Sequence, residues 1–202
     1  MDDLNLFHHV FINNNAPKTL FLLHGTGGDE NDLLPLAQNL NDSYNFVGLR
    51  GNVSEQGMPS FFTRVGPGVF DQASILQETQ KLAKFIEAWY QTYQSSSANT
   101  SFLGYSNGAN MILATLFNFP QLIDKAVLLH PMLPFTPKSA NFTKKAFLIT
   151  YGETDSMIRP SESLQVIDIL KKYQATVEVF SHPGGHEIIP REVNQLEQFL
   201  NL

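Results

Sequence analysis

The chain has 202 residues, 43% hydrophobic and 16% charged, with a formal net charge of −6 and no cysteine. That length suffices for one domain with a substantial core, and the acidic balance speaks against a nucleic-acid binder or a protein held on anionic lipid. Without cysteine, disulfides, thiolate metal sites and a cysteine nucleophile are all excluded.

The opening MDDLNLFHHV is acidic where a signal peptide would be basic. No stretch approaches the roughly 20 apolar residues of a membrane span, so a cytoplasmic protein with no stable membrane insertion is expected. FHHVFIN (7–13) and KTLFLLH (18–24) read as strands, and NNAP between them reads as a turn that would pair them antiparallel. DENDLLPLAQNL is helix-like and YNFVGLR strand-like. Residues 51–68 form a Gly/Pro-rich loop with two exposed-looking aromatics, Phe61 and Phe62.

Residues 71–93 place Ile75, Leu82, Phe85, Ile86 and Trp89 at helical spacing, with Asp71 as N-cap. TSFLGY, DKAVLLH, KKAFLITYG and ATVEVFSH then read as strands. NGANMILATLFNF, PSESLQVIDILKKY and IIPREVNQLEQFLNL read as helices. This alternation predicts a single α/β domain over residues 1–202, with a mostly parallel central sheet of about seven strands and helices on both faces.

In such a sheet, ligand sites lie beyond the carboxyl ends of the strands. There Gly104-Tyr105-Ser106-Asn107-Gly108 fits G-x-S-x-G, a tight strand-to-helix turn that presents a nucleophilic serine. A serine needs a base, and the base needs an orienting acid. Ser106, Asp155 and His186 supply these in the order Ser, Asp, His, each just past a predicted strand. His182, before Pro183, reads as a capping residue, whereas His186 follows a Gly-Gly hinge that brings its ring to the serine. Glu153 and Asp168 are the other candidate acids; Asp168 falls within a helix as a solvated charge. The backbone N–H groups of Asn107 and of Thr26, in the loop HGTGGDEND, are the expected oxyanion donors. His24 reads as a structural hydrogen-bonder of that loop.

HGTGGDEND, GYSNGAN, YGETDSMIRP and PGGHEI together resemble the bacterial phospholipase/carboxylesterase family of α/β-hydrolases, which includes the acyl-protein thioesterases. FFTRVGPGVFDQASILQETQKLAKFI is similar to the small carboxylesterases associated with hydroquinone resistance, with Phe-Phe-x-Arg and Phe-Asp before the long helix. The resemblance implies hydrolysis of short acyl esters without a cofactor or metal, catalysis by Ser106, Asp155 and His186, and oxyanion roles for Thr26 and Asn107.

The expected activity is that of a serine carboxylesterase on a small-molecule ester or thioester, through an acyl-serine. With no segment long enough for a lid domain, the site should be open and favour short acyl groups. Phe61, Phe62, Met132, Leu133 and Met157 lie in loops on that side, and Phe62, Met132 and Met157 are the candidate substrate contacts. The rivals are a lysophospholipase or acyl-protein thioesterase on the same fold, a non-catalytic small-molecule binder, and a metal hydrolase using His8 and His9. The last ranks lowest, because adjacent strand residues point to opposite faces. An edge strand near the terminus could pair two subunits as a homodimer.

Overall fold

A computed structural model describes residues 3–66, 68–138 and 140–201. In chain order the elements are β1 (His9–Ile12), β2 (Lys18–Leu23), α1 (Leu34–Ala37), β3 (Tyr44–Leu49), β4 (Val53–Glu55), β5 (Met58–Ser60), β6 (Arg64–Gly66) and β7 (Val69–Phe70). They continue with α2 (Gln72–Thr92), β8 (Thr100–Tyr105), α3 (Asn107–Asn118), β9 (Lys125–Leu129), β10 (Ala146–Gly152), α4 (Pro160–Lys172), β11 (Thr176–His182) and α5 (Pro190–Asn201). Leu202, at the end of the last predicted helix, lies outside the described residues.

Seven strands form one sheet in the order β1-β3-β2-β8-β9-β10-β11, with only β1 antiparallel to its neighbour. Side chains alternate across it. Phe21, Leu23, Phe102, Ala126, Leu128, Phe147 and Ile149 join the core under α2, α3 and α4. Leu20, Leu22, Leu103, Val127, Leu129 and Leu148 join the core under α1 and α5. The central strands are therefore apolar on both faces, the pattern of a covered parallel sheet.

The expected hairpin between the first two strands does not form, because β1 pairs with β3. Asn45 explains the detour: its Oδ1 accepts from the N–H groups of Asn14 and Ala16, and its Nδ2 donates to the Ala16 carbonyl. These bonds carry the chain across the end of β3 and deliver it into the buried centre of the sheet as β2, leaving half-buried β1 at the edge. The first predicted helix is also shorter than its pattern, a single α-turn followed by a 3-10 turn over Gln38–Leu40.

Residues 51–70 are two small hairpins, β4–β5 and β6–β7, rather than an open loop. Phe61 and Phe62 between them are fully buried, not exposed. Phe61 packs on Phe7 and His24, and its N–H donates to Asn107 Oδ1; Phe62 meets Phe70 edge-on. Among the described residues, neither these hairpins nor the segments 130–138 and 140–145 form a separate lid domain. No helix among the described residues is long and apolar enough to cross a membrane.

Helix α2 follows its periodicity closely: Ile75, Leu82, Phe85, Ile86 and Trp89 are all buried. Asp71 caps it, accepting from the N–H groups of Ala73 and Ser74 and from the Thr63 hydroxyl. The Ser74 N–H, the Thr63 hydroxyl and the Ala73 N–H hold its carboxyl below the ordinary aspartate value, against a smaller upward pull from burial. The cap's contribution is thus full above the unfolded value near pH ~4 and is lost as the pH falls through the lower folded value. Asp71→Ala is expected to lower Tm by a few degrees at neutral pH and by progressively less in strong acid, as read by thermal denaturation across a pH series.

Candidate active site

β8 runs straight into Ser106, which joins it to α3 with φ 51 and ψ −111. A non-glycine residue held there carries strain of about 1–3 kcal/mol, which the surrounding structure must enforce. The enforcement is visible: the Ser106 N–H donates to the Leu129 carbonyl at 2.8 Å, and its carbonyl accepts from the Asn110 N–H at 3.0 Å. The flanking glycines are required by close packing of strand on helix. A Cβ on Gly104 would stand 2.7 Å from Ala109 N, and one on Gly108 would stand 2.0 Å from the Leu23 carbonyl oxygen.

Ser106 Oγ lies 2.9 Å from His186 Nε2, and His186 Nδ1 lies 2.6 Å from Asp155 Oδ2. This geometry assigns the proton on His186 to Nδ1, facing the carboxylate, and leaves Nε2 to accept from the serine hydroxyl. Asp155 Oδ1 accepts from the N–H groups of Met157 and Ile158 at 2.8 and 2.9 Å. Burial pushes the Asp155 carboxyl up, but the Ile158 N–H, the His186 ring and the Met157 N–H together hold it below the ordinary value. The three residues read from the sequence as nucleophile, base and acid therefore stand in one hydrogen-bonded chain. Glu153, on the same loop, turns away to accept from the Ser181 hydroxyl, and Asp168 is exposed on α4.

The His186 loop brings the ring to Ser106 and is held there by several hydrogen bonds. Neither Gly184 nor Gly185 is among the residues with positive φ. The Thr154 N–H donates to the Gly184 carbonyl, the Gly184 N–H to His182 Nδ1, and the Tyr105 hydroxyl to the His186 carbonyl at 2.7 Å. Gly152 makes this docking possible, since a Cβ there would lie 1.9 Å from the Gly185 carbonyl oxygen. Burial, then Asp155, Glu192 and Glu187, push the Tyr105 hydroxyl up to about 12, so it stays a donor.

The loop after β2 approaches from the other side. His24 donates from Nδ1 to the Gly25 carbonyl at 2.6 Å and accepts at Nε2 from the Gly51 N–H at 3.0 Å. Burial lowers its pKa more than the Gly25 carbonyl and nearby acids raise it, which suits a neutral, structural ring. Glu30 ties the loop to Arg50 and His8, and the Gly27 N–H donates to the Pro59 carbonyl. His9 Nδ1 faces the Phe7 carbonyl instead, so the adjacent histidines of the metal rival are engaged apart. Among the described residues the Thr26 and Asn107 backbone N–H groups have no hydrogen-bond partner, and both residues border the cavity beside Ser106.

That cavity measures about 60 Å³ and is lined by Ser106, His186, Thr26, Asn107, Met132 and Met157 together with Arg64, Phe70, Asn110 and Ile158. Met132 is fixed by its N–H, which donates to Asn110 Oδ1, while Met157 is 69% exposed at the mouth. Phe62 does not reach the cavity; it is buried behind Phe70, which stands where Phe62 was expected. Leu133 packs into the core instead.

Two buried residues escaped the sequence reading. His130 follows β9 at φ 51, with Nδ1 3.3 Å from Asp155 Oδ2 and Nε2 3.2 Å from Glu192 Oε1. The signal for His130 was present, because AVLLHP is one more strand end of the kind that carries the other site residues. Glu192 had none; a glutamate in the first turn of a helix ordinarily faces water.

The phospholipase/carboxylesterase family model matches residues 10–202. A putative hydrolase of Bacillus subtilis, MhqD, is 33% identical over 192 residues, covering 95% of this chain and 96% of that protein. A crystal structure of the Bacillus cereus carboxylesterase superposes with a TM-score of 0.90 at 33% identity, covering 100% of this chain and 99% of that one. A carboxylesterase structure from Mesorhizobium loti gives 0.90 at 30% identity, covering 97% and 95%. The sheet order, the helices on both faces and these likenesses agree: the chain has the α/β-hydrolase fold and belongs to the phospholipase/carboxylesterase family of hydrolases.

Proposed function

We propose that the chain is a single-domain serine carboxylesterase that hydrolyses short acyl esters or thioesters through an acyl-serine, without a cofactor. The observation that carries this reading is the chain from Ser106 Oγ through His186 to Asp155, at 2.9 and 2.6 Å, with the serine in a strained turn at the head of a helix. In the acylation step Ser106 Oγ attacks the carbonyl carbon while His186 Nε2 takes its proton. Asp155 holds the ring in the required tautomer and stabilises the imidazolium. The oxyanion accepts from the N–H groups of Thr26 and Asn107, a contribution of about 3 kcal/mol per donor in comparable sites. His186 then returns the proton to the leaving alkoxide or thiolate, and water repeats the sequence to free the acid.

The short-chain preference is supported by the cavity volume of about 60 Å³. It is far below the ~300–1,000 Å³ of sites that enclose a whole drug-sized ligand. A second reading, as a lysophospholipase or thioesterase for longer chains, draws on the exposed apolar side chains Met58, Val65 and Val69 of the hairpins and Met157 at the cavity mouth. The p-nitrophenyl acetate, butyrate, octanoate and dodecanoate series separates the two. kcat/KM is expected to peak at acetate or butyrate and fall at least about tenfold by octanoate. A steady rise to dodecanoate would establish the second reading. No turnover of any member, with no fluorophosphonate labelling, would leave a small-molecule binder.

A further inference from the structure

Behind the triad lies a second group of ionisable side chains that the reaction above does not use: His130, His182 and Glu192, all buried. Two features mark it. His130 occupies a left-handed backbone conformation at the end of β9, which a side chain adopts only under constraint. Its ring is also enclosed between two carboxylates, Asp155 on the Nδ1 side at 3.3 Å and Glu192 on the Nε2 side at 3.2 Å.

The protonation pattern follows from these contacts. Each carboxylate favours a proton on the ring nitrogen that faces it: Nδ1 is hydrogen-bonded to Asp155, and Nε2 stands at ion-pair distance from Glu192 without hydrogen-bond alignment. His182 accepts the Gly184 N–H at Nδ1, which leaves its proton on Nε2, 3.8 Å from Glu192 Oε2. Glu192 also accepts from the Thr150 hydroxyl. The Thr150 hydroxyl presents its proton to Glu192, and both histidine rings stand at ion-pair distance from the same carboxylate. Burial disfavours charge on His130, but Glu192 and Asp155 outweigh it and raise its pKa above the ordinary histidine value.

We infer that His130 is a buried imidazolium held between Asp155 and Glu192, and that it acts as a positioning residue for the reaction. It fixes the carboxylate oxygen that His186 also uses, and it sets how readily His186 takes and gives up its proton. This rests on the serine-hydrolase reading above. The His130 and His186 rings are 5.1 Å apart, so a cation on the first opposes the imidazolium that must form on the second. Glu192 balances it. The other groups facing the pair are Tyr105 from β8, held neutral, His182 from β11, and exposed Glu187 on the His186 loop.

The first test does not depend on turnover. Nitrogen-15 NMR of the wild-type histidine rings, assigned with H130Q, should find both His130 nitrogens still protonated as the pH rises past the ordinary histidine value of about 6.5. A single protonated nitrogen overturns the proposal. The second test is the pH profile of kcat/KM for p-nitrophenyl acetate. H130Q removes the opposing cation and should move the acid limb up by about one pH unit. E192Q removes the carboxylate that sustains the charge on His130, so it should move the limb the same way, with His130 losing its second proton. A role confined to packing would lower Tm and kcat without moving the limb. A limb unmoved or moved down in either folded variant overturns the positioning role. If H130Q does not fold, E192Q and the wild-type ring decide the matter. An active wild type with unmoved limbs defeats this proposal alone; an inert, unlabelled wild type defeats it together with the hydrolase reading.

Discussion

Ser106→Ala is expected to lower kcat for p-nitrophenyl acetate by about 10⁵-fold and to abolish fluorophosphonate labelling, with Tm almost unchanged. The loss in rate follows because no other hydroxyl stands on His186 Nε2, where Ser106 Oγ lies at 2.9 Å. Residual hydrolysis would come from the oxyanion donors and from binding alone. Tm should hold because alanine keeps the same strained backbone at φ 51, with the same bonds to Leu129 and Asn110. Only the hydroxyl's own bond disappears. An alanine variant that still turns over and still labels would place the nucleophile elsewhere.

Gly108→Ala is expected to damage fold and activity together. The added Cβ would sit 2.0 Å from the Leu23 carbonyl oxygen and 2.6 Å from that of His24, both of them backbone. Neither atom can yield without moving the end of β2 and the loop that carries Thr26. Overpacking of a yielding core costs about 1–3 kcal/mol. Here both partners are rigid, so a loss of about 3 kcal/mol or more is expected, together with a large fall in kcat in whatever fraction folds. Gly66→Ala is the control: a Cβ there meets nothing within 4 Å, and its φ is not positive, so Tm and turnover should stay at the wild-type values. Chemical denaturation and the rate of fluorophosphonate labelling read the two effects separately. If Gly108→Ala matches wild type in both, the close approach of α3 to β2 does not exist.

The elements that the sequence revealed are those set by local rules. α2 declared itself through five apolar residues at helical spacing and an aspartate cap, all of which the structure uses. The elbow was legible because its two glycines serve contacts within one strand-turn-helix unit or with the neighbouring strand. Asp155 and His186 were legible because a parallel sheet gathers the loops at its carboxyl ends, so place along the chain stood in for place in space.

The errors share one origin. Pairing of β1 with β3 rather than β2 goes with a connection held by Asn45, about thirty residues further along the chain. Phe61 and Phe62 looked exposed because a Gly/Pro-rich segment has no periodicity to show which side faces the core. Their burial comes from Phe7, His24 and Phe70, together with the side chain of Asn107. The Gly184-Gly185 turn does bring His186 to the serine, but its docking also needs Gly152, on another strand, which no local pattern records.

The sequence by itself thus determined the order of the main-sheet strands and long helices, the mostly parallel architecture and the choice of Ser106, Asp155 and His186 as residues that meet at one site, because each follows from composition and spacing over a few residues. Only the tertiary structure decided the strand order at the β1 edge, the size of the cavity and which side chains line it, and the placing of His130 between Asp155 and Glu192. Those features arise where segments distant in the chain meet in a dry interior. There a charge or a ring takes its role from its neighbours, and no pattern along the chain records who those neighbours are.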